Sequence, residues 1–265
     1  NAVISDGYAV VKTGPDGYYS FPRHDRTEFV FISVPEAYEI PMGDDGVPQI
    51  YARVSTSGNF SHNFTLVPFT DGGAADFNHV MIAIADPQVR RDYETWRFRN
   101  ETIKDIKELK ASYPAGTPFY GVVVGDLVWD DYGRLEEHKA SVAGTGFPVF
   151  NVIGNHDHDM TKCGDIESDH YFKAAFGPTY YSFNRGNIHY VMMDDIDYIG
   201  CNSKEYTHNI TQNQIDWLIK DLAEVPIEKT IVISVHAPIQ GSNVANRQTV
   251  YNLMGGRRNI QRIIA

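Results

Sequence analysis

The sequence predicts an α/β protein: a layered β-sheet core over residues 74–265, preceded by a small all-β sandwich domain over residues 1–73. Two kinds of pattern support this division. Short β-type runs broken by turn chemistry fill the first part, and continuous apolar runs alternating with amphipathic stretches fill the second. Between them lies Asp71-Gly72-Gly73-Ala74-Ala75, a small-residue stretch suited to a linker.

In the first part, Tyr8–Lys12 and Tyr18–Phe21 flank the turn Thr13-Gly14-Pro15-Asp16-Gly17, and further β-rich runs cover Glu28–Val34 and Asn63–Pro68. Pro and Gly preset the turns, while the flanking Val, Tyr and Phe suit a pleated, half-buried surface. No cluster of acidic, His or Cys residues occurs there. In the second part, Val80–Ala85, Tyr120–Val124, Phe147–Ile153, Ile188–Met193 and Thr230–Val235 are apolar enough for strands buried on both faces. Between them, Trp96, Ile103, Ile106 and Leu109 fall at helical intervals across Asp92–Tyr113, and Leu135 and Val142 mark a shorter helix. The stretch Asn184-Arg185-Gly186-Asn187 predicts a turn. Thr211 and Gln214 predict a capping box at the start of a helix carrying Ile215, Leu218, Ile219 and Leu222. Buried strands alternating with amphipathic helices give the layered arrangement.

A hydrophobic content of 42% with 22% charged residues belongs to a globular chain, and 265 residues are enough for a sizeable core. The formal net charge of -11 argues against nonspecific binding to nucleic acid, which rewards clustered Lys and Arg. No apolar stretch approaches the roughly 20 residues needed to span a bilayer. The chain starts at Asn1 within a β-type segment, so a removed leader is expected. Cys163 and Cys201 fit no metal spacing; they form either a disulfide between two loops or two separate thiols.

The chemistry-bearing residues follow the strands. Asp86 and Gln88 come after the first core strand, Asp126 and Asp130 after the second, Asn155, His156 and Asp157 after the third, and His236 after the last. Ligands of such sheets bind beyond the carboxyl ends of the strands. Carboxylate, amide and imidazole groups gathered there suit one or two first-row divalent ions better than a thiolate zinc site does. His158 and Asp159 extend the third loop and read as solvated, His189 reads as core, and Tyr180, Tyr181, Phe183 and Tyr190 read as packing.

The ordered set Asp86-Pro87-Gln88, Gly125-Asp126, Gly154-Asn155-His156-Asp157 and His236 resembles the calcineurin-like metallophosphoesterase superfamily over roughly residues 78–265. That resemblance implies an αββα core and two divalent ions, manganese, iron or zinc. It places Asp86 and Gln88 on the first ion, Asp126 on both, and Asn155 and His236 on the second. His156 becomes the general acid, and Asp130 the candidate for orienting it, since the family's usual position for that carboxylate is Trp129 here. The implied activity is hydrolysis of a phosphate mono- or diester, small-molecule or glycan-linked, by a hydroxide held between two metals. Gln88 stands where a His is usual, as in a branch of the family reading Asp-Pro-Gln. The closing Gly-His-x-His is absent, so truncation is expected, with two His ligands beyond Ala265. The β-rich start resembles exported bacterial phosphoesterases and implies a periplasmic or cell-surface location. A non-catalytic surface or scaffolding protein that keeps the fold is the alternative.

Overall fold

In the computed structural model, residues 1–55, 57–240, 244–255 and 260–265 are described. Four short strands open the fold: β1 (Val3–Ser5), β2 (Val10–Lys12), β3 (Phe29–Ser33) and β4 (Tyr51–Arg53). They form an antiparallel sheet in the order β2-β1-β3-β4. Every residue of β3 is buried, so its apolar run needs cover on both faces. The expected strands at Tyr18–Phe21 and Asn63–Pro68 do not form; Pro68 makes only an isolated bridge to Tyr38. Pro22 and Pro68 lack the N–H that a ladder requires, which ends pairing at these places.

The core begins with a parallel sheet ordered β5-β6-β7, made of β5 (Val80–Ile84), β6 (Phe119–Val124) and β7 (Val149–Val152). Its crossovers carry α1 (Asp92–Arg97), α2 (Ile103–Ala111) and α3 (Leu135–Ala143), and α4 (Asp165–Ser168) and α5 (His170–Phe176) follow β7. The single helix expected over Asp92–Tyr113 is interrupted by a π-helical turn, Phe98–Thr102. That wider turn shifts the helical register. Phe98, Ile103 and Ile106 are buried as a result, whereas Trp96 and Leu109, expected on the buried face, are 55% and 44% exposed.

The second core sheet runs β13-β12-β9-β8 and contains β8 (Tyr181–Arg185) and β9 (Ile188–Met192). A ribbon of β10 (Ile196–Tyr198) and β11 (Tyr206–His208) comes next, then α6 (Gln212–Ala223), β12 (Thr230–Ser234), α7 (Arg247–Gly255) and β13 (Ile260–Ile264). The expected four-residue turn is tighter than its sequence suggests. Asn184 and Arg185 already pair with His189 and Ile188, leaving Gly186 and Asn187 at the bend.

Strand alternation splits the side chains of β6. Tyr120, Val122 and Val124 face the second sheet, and Phe119 and Val123 face the helices with Ile103, Leu135 and Phe172. On the far side of the second sheet, α6 buries Ile215, Trp217, Leu218 and Leu222. The layers are therefore helices, sheet, sheet and helix. Ile219, assigned to the same face from the sequence, is 48% exposed. The amino-terminal sheet shares this packing: Phe31 meets Trp217 edge-on at 6.2 Å, and the Trp217 indole donates to Ser5 Oγ at 3.1 Å.

Two expectations are corrected at α6 and after β7. Thr211 makes no side-chain capping bond. Gln214 instead brackets the backbone of Asp194, accepting from its N–H at 2.9 Å and donating to its carbonyl at 2.8 Å. His158 and Asp159, expected in a solvated loop, are 1% and 4% exposed. Cys163 and Cys201 are joined as a disulfide. His189 is core, bonded to Asp221 at 2.7 Å, and the four aromatics Tyr180, Tyr181, Phe183 and Tyr190 pack in the interior.

Burial of His138 in α3 gives a testable pH dependence. Its ring is fully buried against Phe98, with one nitrogen bonded to Asn151 Oδ1 at 3.1 Å and Nδ1 without a partner among the described residues. Desolvation lowers its pKa from 6.5 to about 4, with the Asn151 bond opposing. Below about pH 6.5 the unfolded chain takes up a proton that the folded protein refuses until about pH 4. This contribution is thus complete above 6.5 and lost as pH falls through the window, by about 3 kcal/mol. Chemical denaturation at pH 7 and pH 5 should show a shallower loss for His138→Leu than for the unsubstituted protein.

Candidate metal centre

The loops that leave the carboxyl ends of β5, β6, β7 and β12 meet at one place. Backbone pairing extends past the strands to hold them: Gln88 N–H donates to Asp126 O at 2.8 Å, Trp129 N–H to Val89 O at 3.2 Å, and Asp130 N–H to His156 O at 3.2 Å. Asp86, Gln88, Asp126 and Asp130 take φ of 44°, 43°, 51° and 56°. Among the described residues, Asn202 is the only other non-glycine residue in that left-handed region. Each such residue costs about 1–3 kcal/mol and persists only where its surroundings enforce it. Strain concentrated on four expected site residues marks the place as built for them.

Close approach of the loops depends on two glycines. Gly125 has φ of 89°, and a Cβ on it would overlap the ring of His236. A Cβ on Gly154 would overlap the backbone N of Asp126. The Gly-Asp and Gly-Asn-His-Asp motifs thus contain the room that lets their polar residues meet.

The structure brings together Asp86, Asp126 and His236, whose ligand atoms lie within 4.8 Å of one another. Asp126 is 2% exposed. Its Oδ1 accepts from His156 N–H at 2.9 Å, and its Oδ2 from Gln88 Nε2 at 2.7 Å. His236 Nδ1 lies 2.8 Å from Val124 O, an obligate acceptor, so that nitrogen carries the proton and Nε2 is a lone-pair donor to metals. Nε2 faces Asp126 Oδ1 at 3.3 Å and Asn155 Oδ1 at 3.1 Å. Burial raises the Asp86 carboxyl above its ordinary range; nearby His236 opposes the shift and Asp126 adds to it.

His156 is held from several sides. Its Nδ1 lies 2.9 Å from Asp130 Oδ1, Trp129 stacks on its ring at 4.0 Å, and its Nε2 is 4.0 Å from Asp126 Oδ2. Lys204, in the loop between β10 and β11, lies 2.9 and 3.0 Å from the two Asp130 oxygens and 2.8 Å from His156 Nδ1. One ring nitrogen cannot both donate to Asp130 and accept from Lys204. When Lys204 donates, the ring proton sits on Nε2, the nitrogen nearer Asp126.

Two residues here, Lys204 and Asp195, were not singled out from the sequence, and a third, Asp157, was read as a strand-end residue without a role. Lys204 sits in a loop without a motif, and only the Cys163–Cys201 link next to it marked the region. Asp157 is fully buried and accepts from the N–H groups of Leu127, Val128 and Gly154 at 3.2, 3.1 and 2.8 Å, tying the third loop to the second. Its carboxyl is pushed up to about 7 by burial and then by Asp126, against those three N–H groups. Asp195 accepts from the N–H groups of His236 and Ala237 at 3.0 Å, which fixes the His236 backbone. The position of Asp157 within its motif was a usable signal, as was the Asp194-Asp195 pair that closes the apolar run Ile188–Met193.

Residues 1–69 match the family model described as the N terminal of calcineurin-like phosphoesterase. The chain is 30% identical over 128 residues to purple acid phosphatase 15 of Arabidopsis thaliana, covering 44% of this chain and 22% of that protein. It is 29% identical over 131 residues to purple acid phosphatase 22 of the same plant, covering 45% and 27%. The matches therefore span about a quarter of those relatives. Among solved structures, a dimetal phosphatase from Danio rerio shares the fold at a TM-score of 0.54 and 13% identity, covering 71% of this chain and 81% of that one. The chain thus has a small antiparallel β-domain similar to that family model, followed by an α/β phosphoesterase-like core, and it is similar to purple acid phosphatases over part of its length.

Proposed function

We propose that this protein is a metallophosphoesterase that hydrolyses a phosphate mono- or diester. One observation carries the reading: Asp126 Oδ1 and Asn155 Oδ1 lie 3.3 and 3.1 Å from His236 Nε2, the ring nitrogen left without the proton when Nδ1 donates to Val124 O. Three acceptors facing one another are stable around a cation. The mixed nitrogen and oxygen donor set fits a first-row divalent ion. Similarity to purple acid phosphatases and to a dimetal phosphatase supports the same conclusion.

Asp86 and Gln88 would hold one ion, Asp126 both, and Asn155 and His236 the other, with manganese, iron or zinc as candidates. Bound there, the ions would supply Lewis acidity toward the phosphate and a hydroxide near neutral pH. Gln88 requires one adjustment. Its amide now turns nitrogen toward Asp126 Oδ2, and ligation needs the rotated amide with Oε1 inward. The same contact is what favours a non-catalytic scaffold, because it fills a ligand position with a neutral donor.

His156 is the general acid, and it protonates the departing alkoxide from Nε2. Asp130 and Lys204 compete for its Nδ1 and so set where the ring proton lies. The substrate is a small-molecule or glycan-linked phosphoester, and the negative chain charge gives nucleic acid no binding surface. The division into a β-domain over 1–73 and a catalytic domain over 74–265 belongs to this proposal. So does export from the cytoplasm, which the Cys163–Cys201 disulfide supports.

Chelation should abolish hydrolysis of aryl phosphates, and manganese, iron or zinc should restore it. Turnover that survives complete metal removal would refute the reading, and failure to take up any metal would favour the scaffold. His156→Ala should lower kcat for an alkyl phosphate by about 100- to 10,000-fold. Its effect on a nitrophenyl ester should be far smaller, since that leaving group departs without a proton. Equal losses on both substrates would remove His156 from the acid role.

A further inference from the structure

The structure holds a second cluster of ligand groups that the proposed reaction does not use. A ring nitrogen of His158, a carboxylate oxygen of Asp165 and one of Asp194 lie within 4.8 Å of one another. They come from three places in the chain: the loop after β7, the first residue of α4, and the turn after β9. The cluster is interior, with His158 1% and Asp194 2% exposed.

The hydrogen bonds around these groups leave acceptors pointing at acceptors. His158 Nδ1 is 2.8 Å from Ser168 Oγ, which itself donates to the Asp165 carbonyl at 3.0 Å. The hydroxyl hydrogen is thereby used, so Nδ1 donates to Ser168 and Nε2 keeps a bare lone pair. Nε2 is fully buried and has no partner among the described residues. Asp165 Oδ1 accepts from Tyr198 N–H at 3.1 Å and Asp194 Oδ1 from Ile196 N–H at 3.0 Å. Their Oδ2 atoms have no hydrogen-bond partner among the described residues. Lys173 is the nearby cation, but it is committed to Asp169 at 2.9 Å and Glu28 at 2.5 Å.

A buried imidazole lone pair beside two carboxylates costs several kcal/mol unless a cation or a shared proton joins them, and metal content tells these two arrangements apart. The bond from His158 Nδ1 to Ser168 also fixes ring orientation, as a supporting partner of a metal-ligating histidine does. An approach route exists. Asp165 and Asp194 line a cleft of about 110 Å³ together with Thr211, Asn213 and Gln214.

We infer that His158, Asp165 and Asp194 form a third divalent-cation site, structural in role and separate from the Asp126 centre. One imidazole with two carboxylates suits zinc or manganese better than calcium or magnesium, whose sites are built from oxygen alone. The ion would lock the segment from His156 to Ser168 against the turn after β9. That segment includes Cys163, so the ion and the disulfide would secure the same loop from two sides.

The test begins with the Asp86→Ala/Asp126→Asn/His236→Ala variant, which removes the proposed catalytic ions. After dialysis against zinc, elemental analysis should find one equivalent retained, and zinc should raise its melting temperature. Adding Asp165→Asn and Asp194→Asn should abolish both effects. No retained metal in the first variant overturns the inference, and so does unchanged retention in the second. In an otherwise unsubstituted background, Asp165→Asn/Asp194→Asn should bind one equivalent fewer than the parent; an equal count also overturns it. Cobalt(II) added to the first variant should give visible d–d bands that His158→Gln alters, which tests the ligand set without relying on the carboxylate substitutions. Failure of the catalytic-site reading would appear separately, as full metal retention by the first variant.

Discussion

Asp126→Asn is expected to lower kcat on aryl phosphates by about a thousand-fold or more while the fold survives. The carboxylate touches the Gln88 amide, the His156 backbone and the neighbourhood of His236 at once. If it holds both ions, removing its charge forfeits several kcal/mol of transition-state stabilisation, and each 1.36 kcal/mol is tenfold in rate. Stability should move the other way in metal-free protein. Asp126 is buried near Asp86 and Asp157, and its charge raises both of their carboxyls. An amide relieves that repulsion, so the metal-free melting temperature should hold or rise. The checks are steady-state kinetics, metal content and calorimetry on chelated samples. Loss of activity together with collapse of the metal-free fold would show instead that Asp126 is a structural residue.

Gly154→Ala is expected to damage the site almost as severely, by steric means. Gly154 has an ordinary φ of -115°, so backbone strain is not the issue. The new methyl would overlap backbone, the N of Asp126, and it would also press on the Asp126 carboxylate. Backbone cannot rotate away as a flexible side chain can, and overpacking of this kind costs about 1–3 kcal/mol or more. The two loops must separate, which breaks the bond from His156 N–H to Asp126 and pulls the ligands apart. Metal affinity and kcat should fall together, with a lower melting temperature in both metal-free and metal-loaded protein. Preserved metal content and activity in Gly154→Ala would show that the loops do not need this contact.

The strands that deliver the site were legible because their apolar runs are uninterrupted. Val80–Ala85 runs directly into Asp86 and Thr230–Val235 into His236, while Tyr120–Val124 reaches Asp126 across Gly125; the first of these strands is only partly buried, with Ala83 exposed, against the expectation of cover on both faces. The helix over Asp92–Tyr113 was readable as helix but not as a face. The π turn that rotates Trp96 outward depends on how α1 and α2 pack against β5-β6-β7, and spacing alone does not record it. Gln214 was visible as a helix-start signal, yet its partner is Asp194, 20 residues away in sequence. His158 and Asp159 looked like loop polarity, and their partners Ser168, Tyr198 and His170, reached only in the folded chain, turned them inward.

By itself the sequence determined the order of elements and named the site candidates, His156 and Asp130 as catalytic and Asp86, Gln88, Asp126, Asn155 and His236 as metal ligands. Local patterns encode both, because strand ends and turn glycines are properties of neighbouring residues. Only the tertiary structure decided which groups face one another without a hydrogen to share. Asp157 as a tie between loops, Lys204 competing for His156 Nδ1, and the cluster of His158, Asp165 and Asp194 all arise between segments far apart in the chain. Their geometry is fixed by the packing of two sheets against each other, and the sequence of any one segment carries no record of it.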